Sequence, residues 1–248
     1  MTPTERPSDR WRLVPASWDE VVNGALHRFL NARRALLDPA VRFVPLLAAT
    51  HLATARATAL EANRAGRHAI ALALARQAIE SLTIIEAAMI DPPWANDLLI
   101  AWQAGKATQG ALRKRLAELS WPRFPDTPWG VTWLEHMTSL ARALQPYAHY
   151  SPDLLQWNLA FVTQPSDGNA VAAVGHGAFD QDKAERLALL FGVLLWNVLM
   201  LLSHYGDQLD AEAAAVKVAL DTEFGQTKWL DQGLGWVDQL IPHVWIPE

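Results

Sequence analysis

Two short polar stretches sit where the surrounding pattern says core: Arg76-Gln77-Ala78-Ile79-Glu80 inside a long apolar segment, and Tyr147-Ala148-His149-Tyr150-Ser151 at a boundary between helices. A polar group taken out of water costs several kcal/mol unless it finds a partner, so the two stretches are expected to meet and satisfy each other. Arg76 and Glu80 are four residues apart and share one helix face. They read either as a structural ion pair that fixes helix packing, or as an anion-binding arginine beside a glutamate that orients a histidine. Ser151 followed by Pro152 and Asp153 is a helix N-cap signature. His149, two residues earlier, then lies beside free backbone N–H groups, a setting that disfavours imidazolium and suits a neutral general base. The plainer alternative is a hydrogen-bonded structural histidine.

The elements that must position these groups are helices. Ser17 and Glu20 have the spacing of a capping box and predict a first helix over 18–37. Asp38-Pro39 predicts a second helix running to about 64, ended by Gly66. Apolar residues on nearly every face of 67–90 predict a third helix surrounded by others, and Asp91-Pro92-Pro93 stops it. Shorter helices follow over 94–104 and 107–120. The stretch from Trp121 to Gly130 carries three prolines and reads as a rigid loop. A helix over 131–146 leads to the Tyr-Ala-His corner, and a short one opens at Ser151. Residues 159–179 read as a small β-hairpin or an ordered loop. Asp180 caps a long apolar helix over 181–205, Gly206 ends it, and helices over 207–223 and 227–240 close the chain. The fold class is therefore all-α: a single helical domain over 1–248, its bundle core at 18–223 and a C-terminal extension at 224–248.

Composition bounds the function. The 248 residues are 51% hydrophobic and 19% charged, with a net charge of -5 and no cysteine. The chain is large enough for a real core. Disulfides, thiolate nucleophiles and cysteine zinc sites are excluded. The charge argues against general duplex DNA binding, although Arg113-Lys114-Arg115 is locally basic. The eight histidines show no helical ligand spacing, so no metal is expected. Neither a Gly-rich phosphate loop nor a Gly-x-Ser-x-Gly elbow is present, so no cofactor is expected. The first ten residues lack an apolar run, which makes a cytoplasmic setting the expectation. Leu187 to Leu202 is uncharged but falls short of the roughly 18–20 apolar residues of a spanning helix, and it reads as a buried central helix in preference to a membrane segment. Twelve tryptophans are unusual. Several of them, Trp102 and Trp129 included, cluster around the Pro-rich loop and suit either core packing or a ligand pocket.

Two resemblances add to this. Arg142 and His149 form an Arg-x6-His spacing that resembles the Arg-x(4–6)-His motif of HEPN-type ribonucleases. That resemblance implies metal-independent RNA cleavage, with His149 as general base, Arg142 or Arg76 on the phosphate and Glu80 orienting the histidine. Two departures stand against it. Ala143 follows the arginine where Asn, His or Asp is usual, and Pro146 interrupts the helical face the motif needs. The order of features also looks like a bacterial all-helical family of unknown function, HEPN-like in outline, with some members near mobile or defence genes. The features are Arg-x-x-x-Glu in an early buried helix, Asp-Pro with a short helix pair, Tyr-x-His-x-Ser at a corner, and a long apolar helix. It spans residues 20–205 and rests on Arg76, Glu80, Tyr147, His149 and Ser151. It implies a helical bundle that pairs as a homodimer. The reading that follows is a ligand- or partner-binding module with Arg76, Glu80, His149, Tyr147, Ser151, Trp102 and Trp129 at its site. A ribonuclease using His149, Glu80 and Arg142, with RNA as substrate, is the alternative.

Overall fold

The computed structural model describes residues 15–148, 151–161, 172–174, 179–206, 208–227, 229–230 and 236–241. Ten α-helices are found among them: α1 (Ala16–Arg33), α2 (Val44–Arg64), α3 (His68–Met89), α4 (Pro92–Gln103), α5 (Gln109–Leu119), α6 (Trp133–Ala143), α7 (Pro152–Gln156), α8 (Gln181–Tyr205), α9 (Ala211–Phe224) and α10 (Trp236–Leu240). A short antiparallel strand pair, β1 (Leu159–Phe161) with β2 (Ala172–Val174), aligns Leu159 with Val174. The protein is an all-α bundle.

Helix α3 is the axis of the fold. Seventeen of its 22 residues are buried, because α2, α4, α5 and α8 all pack on it. Gly66, at φ 72°, makes the tight turn that folds α2 back along α3, a conformation only glycine adopts freely. Helix α8 is the second core element. Asp180 accepts from the Lys183 N–H at its start, as its N-cap role requires. Gly206 ends it, where a Cβ would stand 2.6 Å from the Leu202 carbonyl oxygen. Helices α3 and α8 are both long and apolar enough to cross a membrane, but 72% and 89% of their most apolar stretches are buried inside the fold. Their apolar surface is spent on packing.

Several boundaries differ from expectation. Ser17 and Glu20 do not form a capping box: α1 begins at Ala16 with Pro15 in the cap position and no side-chain cap. Proline supplies a ready helical start there, so the serine lies one residue inside. Asp38 does not open the second helix. Its carboxylate accepts from the Ala40 N–H in a run of turns, and α2 starts at Val44 with Pro45 in its first turn. Helix α6 ends at Ala143 and yields to a 3-10 turn at Gln145–Ala148, because Pro146 cannot continue an α-helix. The expected helices over 207–223 and 227–240 are shorter, starting at Ala211 and Trp236.

Buried polar groups tie the elements together. Arg56 on α2 is 1% exposed and pairs with Asp19 on α1. His68, at the start of α3, accepts from the Asp180 N–H on Nε2 at 3.1 Å and donates from Nδ1 to Asn63 Oδ1 at 2.8 Å. Asn63 in turn donates to the Ala184 carbonyl at 2.8 Å. The α2–α3 turn is thus fastened to the first turn of α8. Burial holds His68 neutral, with its pKa lowered to about 4.

Candidate functional site

The Arg76–Glu80 patch is built on α3 as the spacing demands. Arg76 is 5% exposed. Its Nη2 sits 2.8 Å from Glu80 Oε1 and donates to Gln145 Oε1 at 2.9 Å. Gln145 belongs to the 3-10 turn that begins the second polar stretch, so the two regions do meet, through a glutamine that the sequence did not single out. Arg113 of α5 lies close enough for the Arg76 charge to help lower its pKa, after burial as the larger cause. Arg76 Nε and Nη1 and Arg113 Nη1 are buried without a hydrogen-bond partner among the described residues.

Beside this patch opens a cleft of about 530 Å³. Its two long walls are helical stripes in register: Val44, Leu47, Ala48 and His51 on α2, and Gln77, Glu80, Ser81 and Ile84 on α3. Each set follows the i, i+3, i+4, i+7 spacing that places four side chains on one helix face. Trp102 of α4 and Gln109 of α5 close it. The wall is mainly apolar, and two of its polar members bring acceptors to it. Glu80 presents its carboxylate, and Gln109 Oε1 is buried without a partner among the described residues. A pocket of this size with few convergent polar groups is the usual form of a small-molecule site.

The remaining expected residues fall in different places. Trp102 lines the cleft. Trp129 does not: it is 2% exposed and packs at ring-centroid distances of 5.1–5.6 Å against Trp196, His136, Trp236 and Phe224. Its role is core packing, because the Pro-rich loop folds inward over α8. Tyr147 is 1% exposed, and burial pushes its hydroxyl up to about 12 against the opposing effect of Trp157. Ser151 accepts from the Leu154 N–H, the N-cap of α7. Arg142 is exposed on the last turn of α6. His149 lies outside the described residues, and so does its expected convergence with Arg76 and Glu80.

Among the buried titratable groups that sequence reasoning missed are His136, His68 and Glu86. His136 is fully buried, donates from Nε2 to Asn197 Oδ1 at 2.8 Å, and burial lowers its pKa to about 4. His68 performs the fastening described above. Glu86, 0% exposed on α3, accepts from the Trp121 indole at 2.9 Å, and burial raises its pKa to about 8. No motif marks them. The one available signal was a polar residue within an otherwise apolar helical run. Among the described residues no cluster of His, Asp or Glu suits a metal ion.

Comparison with protein-family models, with curated proteins and with solved structures finds no match to this chain.

Proposed function

We propose that the protein is a small-molecule-binding helical module whose site is the cleft between α2 and α3. Its ligand has an apolar body and a hydrogen-bond-donating head. The observation that carries this reading is the cleft itself, in which the largely apolar α2 stripe, Ile84 and Trp102 face the Glu80 carboxylate and a Gln109 oxygen that has no partner among the described residues. The body lies along Val44, Leu47, Ile84 and Trp102, and the head donates to Glu80 and Gln109. Arg76 holds Glu80 from behind, which fixes the carboxylate at the cleft wall without entering it. Burying an aliphatic chain of several methylenes contributes about 0.8 kcal/mol each, enough to hold a modest ligand before the head is counted.

The ribonuclease reading drawn from the HEPN resemblance has less support. A seven-residue spacing shares a face only within one helix, and α6 ends at Ala143, between Arg142 and His149. It stays as an outcome of the test below.

The test is calorimetric titration with n-octylamine, and separately with octanoate, on the wild type, Glu80→Gln and Ala48→Trp. Octylamine is expected to bind more tightly than octanoate. Glu80→Gln should weaken the amine about tenfold, a loss of about 1.4 kcal/mol, and Ala48→Trp should abolish binding by filling the cleft while the helical circular dichroism is kept. Equal or tighter binding of octanoate, or no effect of Ala48→Trp, would overturn the assignment. Cleavage of an RNA pool in EDTA by the wild type but not by His149→Ala would replace it with the nuclease.

A further inference from the structure

A second cleft, of about 330 Å³, opens past the C-terminal end of α3. Its character is opposite to the first. Arg33 reaches it from the end of α1, Asp91 and Trp94 from the start of α4, Ser120 and Arg123 from the segment after α5, and His204 and Tyr205 from the end of α8. Four segments distant in sequence thus bring two guanidinium groups, two hydroxyls and an imidazole to one hollow. Asp91 is the one carboxylate in its lining, against two arginines, which leaves an excess of positive charge.

Both cations have donors to spare. Arg33 gives Nη2 to the Ile90 carbonyl at 2.7 Å, yet its Nε is buried without a partner among the described residues. Neither arginine forms an ion pair with a described carboxylate, and the Arg123 guanidinium has no hydrogen bond to a described residue. Arg33 is half-buried with Asp91 as the nearby opposite charge, and Arg123 is exposed, so the two guanidinium groups outweigh the single carboxylate and favour a counter-charge from outside. The floor is held in shape from behind. Ser120 Oγ hydrogen-bonds the Tyr205 hydroxyl, and Tyr205 in turn donates to Glu86 Oε1 at 3.5 Å. His204 stacks on Phe124 at 3.8 Å between centroids. Burial and the nearby Arg123 lower its pKa. These contacts pre-position the polar lining, which is what lets a small site bind tightly.

We propose that this second cleft binds the phosphate group of a small phosphomonoester, gripped by Arg33 and Arg123 above a floor shaped by Ser120 and Tyr205. Forked guanidinium groups match a tetrahedral dianion, whose several oxygens accept from more than one arginine at once. Trp94 is 45% exposed at the rim and offers an indole face to a flat group on the ester. The site is separate from the α2–α3 cleft, and neither assignment depends on the other.

Titrations of the full chain with inorganic phosphate, phenyl phosphate and a short single-stranded RNA test it. Both phosphates are expected to bind, phenyl phosphate more tightly. Arg123 is exposed, so Arg123→Gln should leave the fold intact and weaken both by about tenfold or more. Trp94→Ala should remove the advantage of phenyl phosphate and leave inorganic phosphate unchanged. A folded wild type that binds neither phosphate at millimolar concentration overturns the proposal. So does Arg123→Gln with unaltered affinity, and so does RNA binding that neither phosphate competes away.

Discussion

Glu86 shows how much one buried side chain decides. An ordinary glutamate is ionised at neutral pH, but burial raises this one to about 8, so the folded protein holds a proton that the unfolded chain has released. The sign follows from linkage. Below the unfolded value of 4.5 both states are protonated and the group costs nothing electrostatically. As pH rises toward 8, stability is lost, because the folded state must keep the proton or bury a charge. Glu86→Gln keeps an acceptor for Trp121 and cannot ionise. Thermal melts should therefore show the variant gaining on the wild type between pH 5 and 8 by a few kcal/mol, or several degrees at about 2–4 °C per kcal/mol. Parallel melting curves across that range would mean that Glu86 is ionised in the fold. The residue was legible only as a polar interruption of an apolar helix. Arg76 and Glu80, about two to three turns earlier on the same helix, gave the same signal. Their pairing could be read from spacing, but their partner Gln145 could not, since it is 69 residues away from Arg76 and set by how α6 ends.

At the scale of elements, the apolar pattern specified most of the bundle. Helix α8 is uncharged from Leu187 to Leu202 and α3 is apolar between its few charges because other helices surround them, and their ends are written in Asp180, Gly206 and Asp91-Pro92. What the pattern misplaced were starts governed by local competition, such as Ser17, which loses to Pro15, and Asp38, which prefers its own turn. The first cleft was half visible. Trp102 was expected, but the facing stripe of Val44, Leu47, Ala48 and His51 becomes a wall only when Gly66 folds α2 back on α3. One element also carries slack. Gly192 lies inside α8, and a Cβ there would stand 3.6 Å from Phe224 and 3.7 Å from Leu220, ordinary contact distances. Gly192→Ala should thus add contact with α9 and remove the entropic cost of a helical glycine, stabilising the protein by about 1 kcal/mol. Chemical denaturation would read this as a higher midpoint with an unchanged slope. A lower midpoint would show that α8 and α9 are already packed too closely for a methyl group.

Across the whole molecule, buried titrations of opposite sign set the conditions under which the bundle is most stable. His68 locks the α2–α3 turn to α8, and His136 joins α6 to Asn197 of α8. Both are neutral in the fold, with pKa values lowered to about 4 from 6.5. Between those values the unfolded chain binds two more protons than the folded one at these sites, so they make stability rise with pH. Glu86 acts the other way between 4.5 and 8. From about pH 4.5 to 6.5 the balance is one proton in favour of the unfolded state, and stability climbs by about 1.4 kcal/mol per pH unit. Above 6.5 the histidines fall silent and Glu86 dominates, so stability declines at a similar rate until about pH 8, where Lys183, lowered by burial to about 8, begins to act the other way. These three groups therefore place the stability maximum near pH 6.5. Denaturant titrations from pH 5 to 8 should trace that peak in the wild type. In Glu86→Gln the alkaline decline should flatten to a plateau, and the rise below 6.5 should steepen to about 2.7 kcal/mol per pH unit, the histidine pair unopposed. A wild-type curve still climbing between pH 6.5 and 7.5 would show that Glu86 does not hold its proton. A flat acid limb in Glu86→Gln would show that His68 and His136 charge without disturbing the junctions they make with α8.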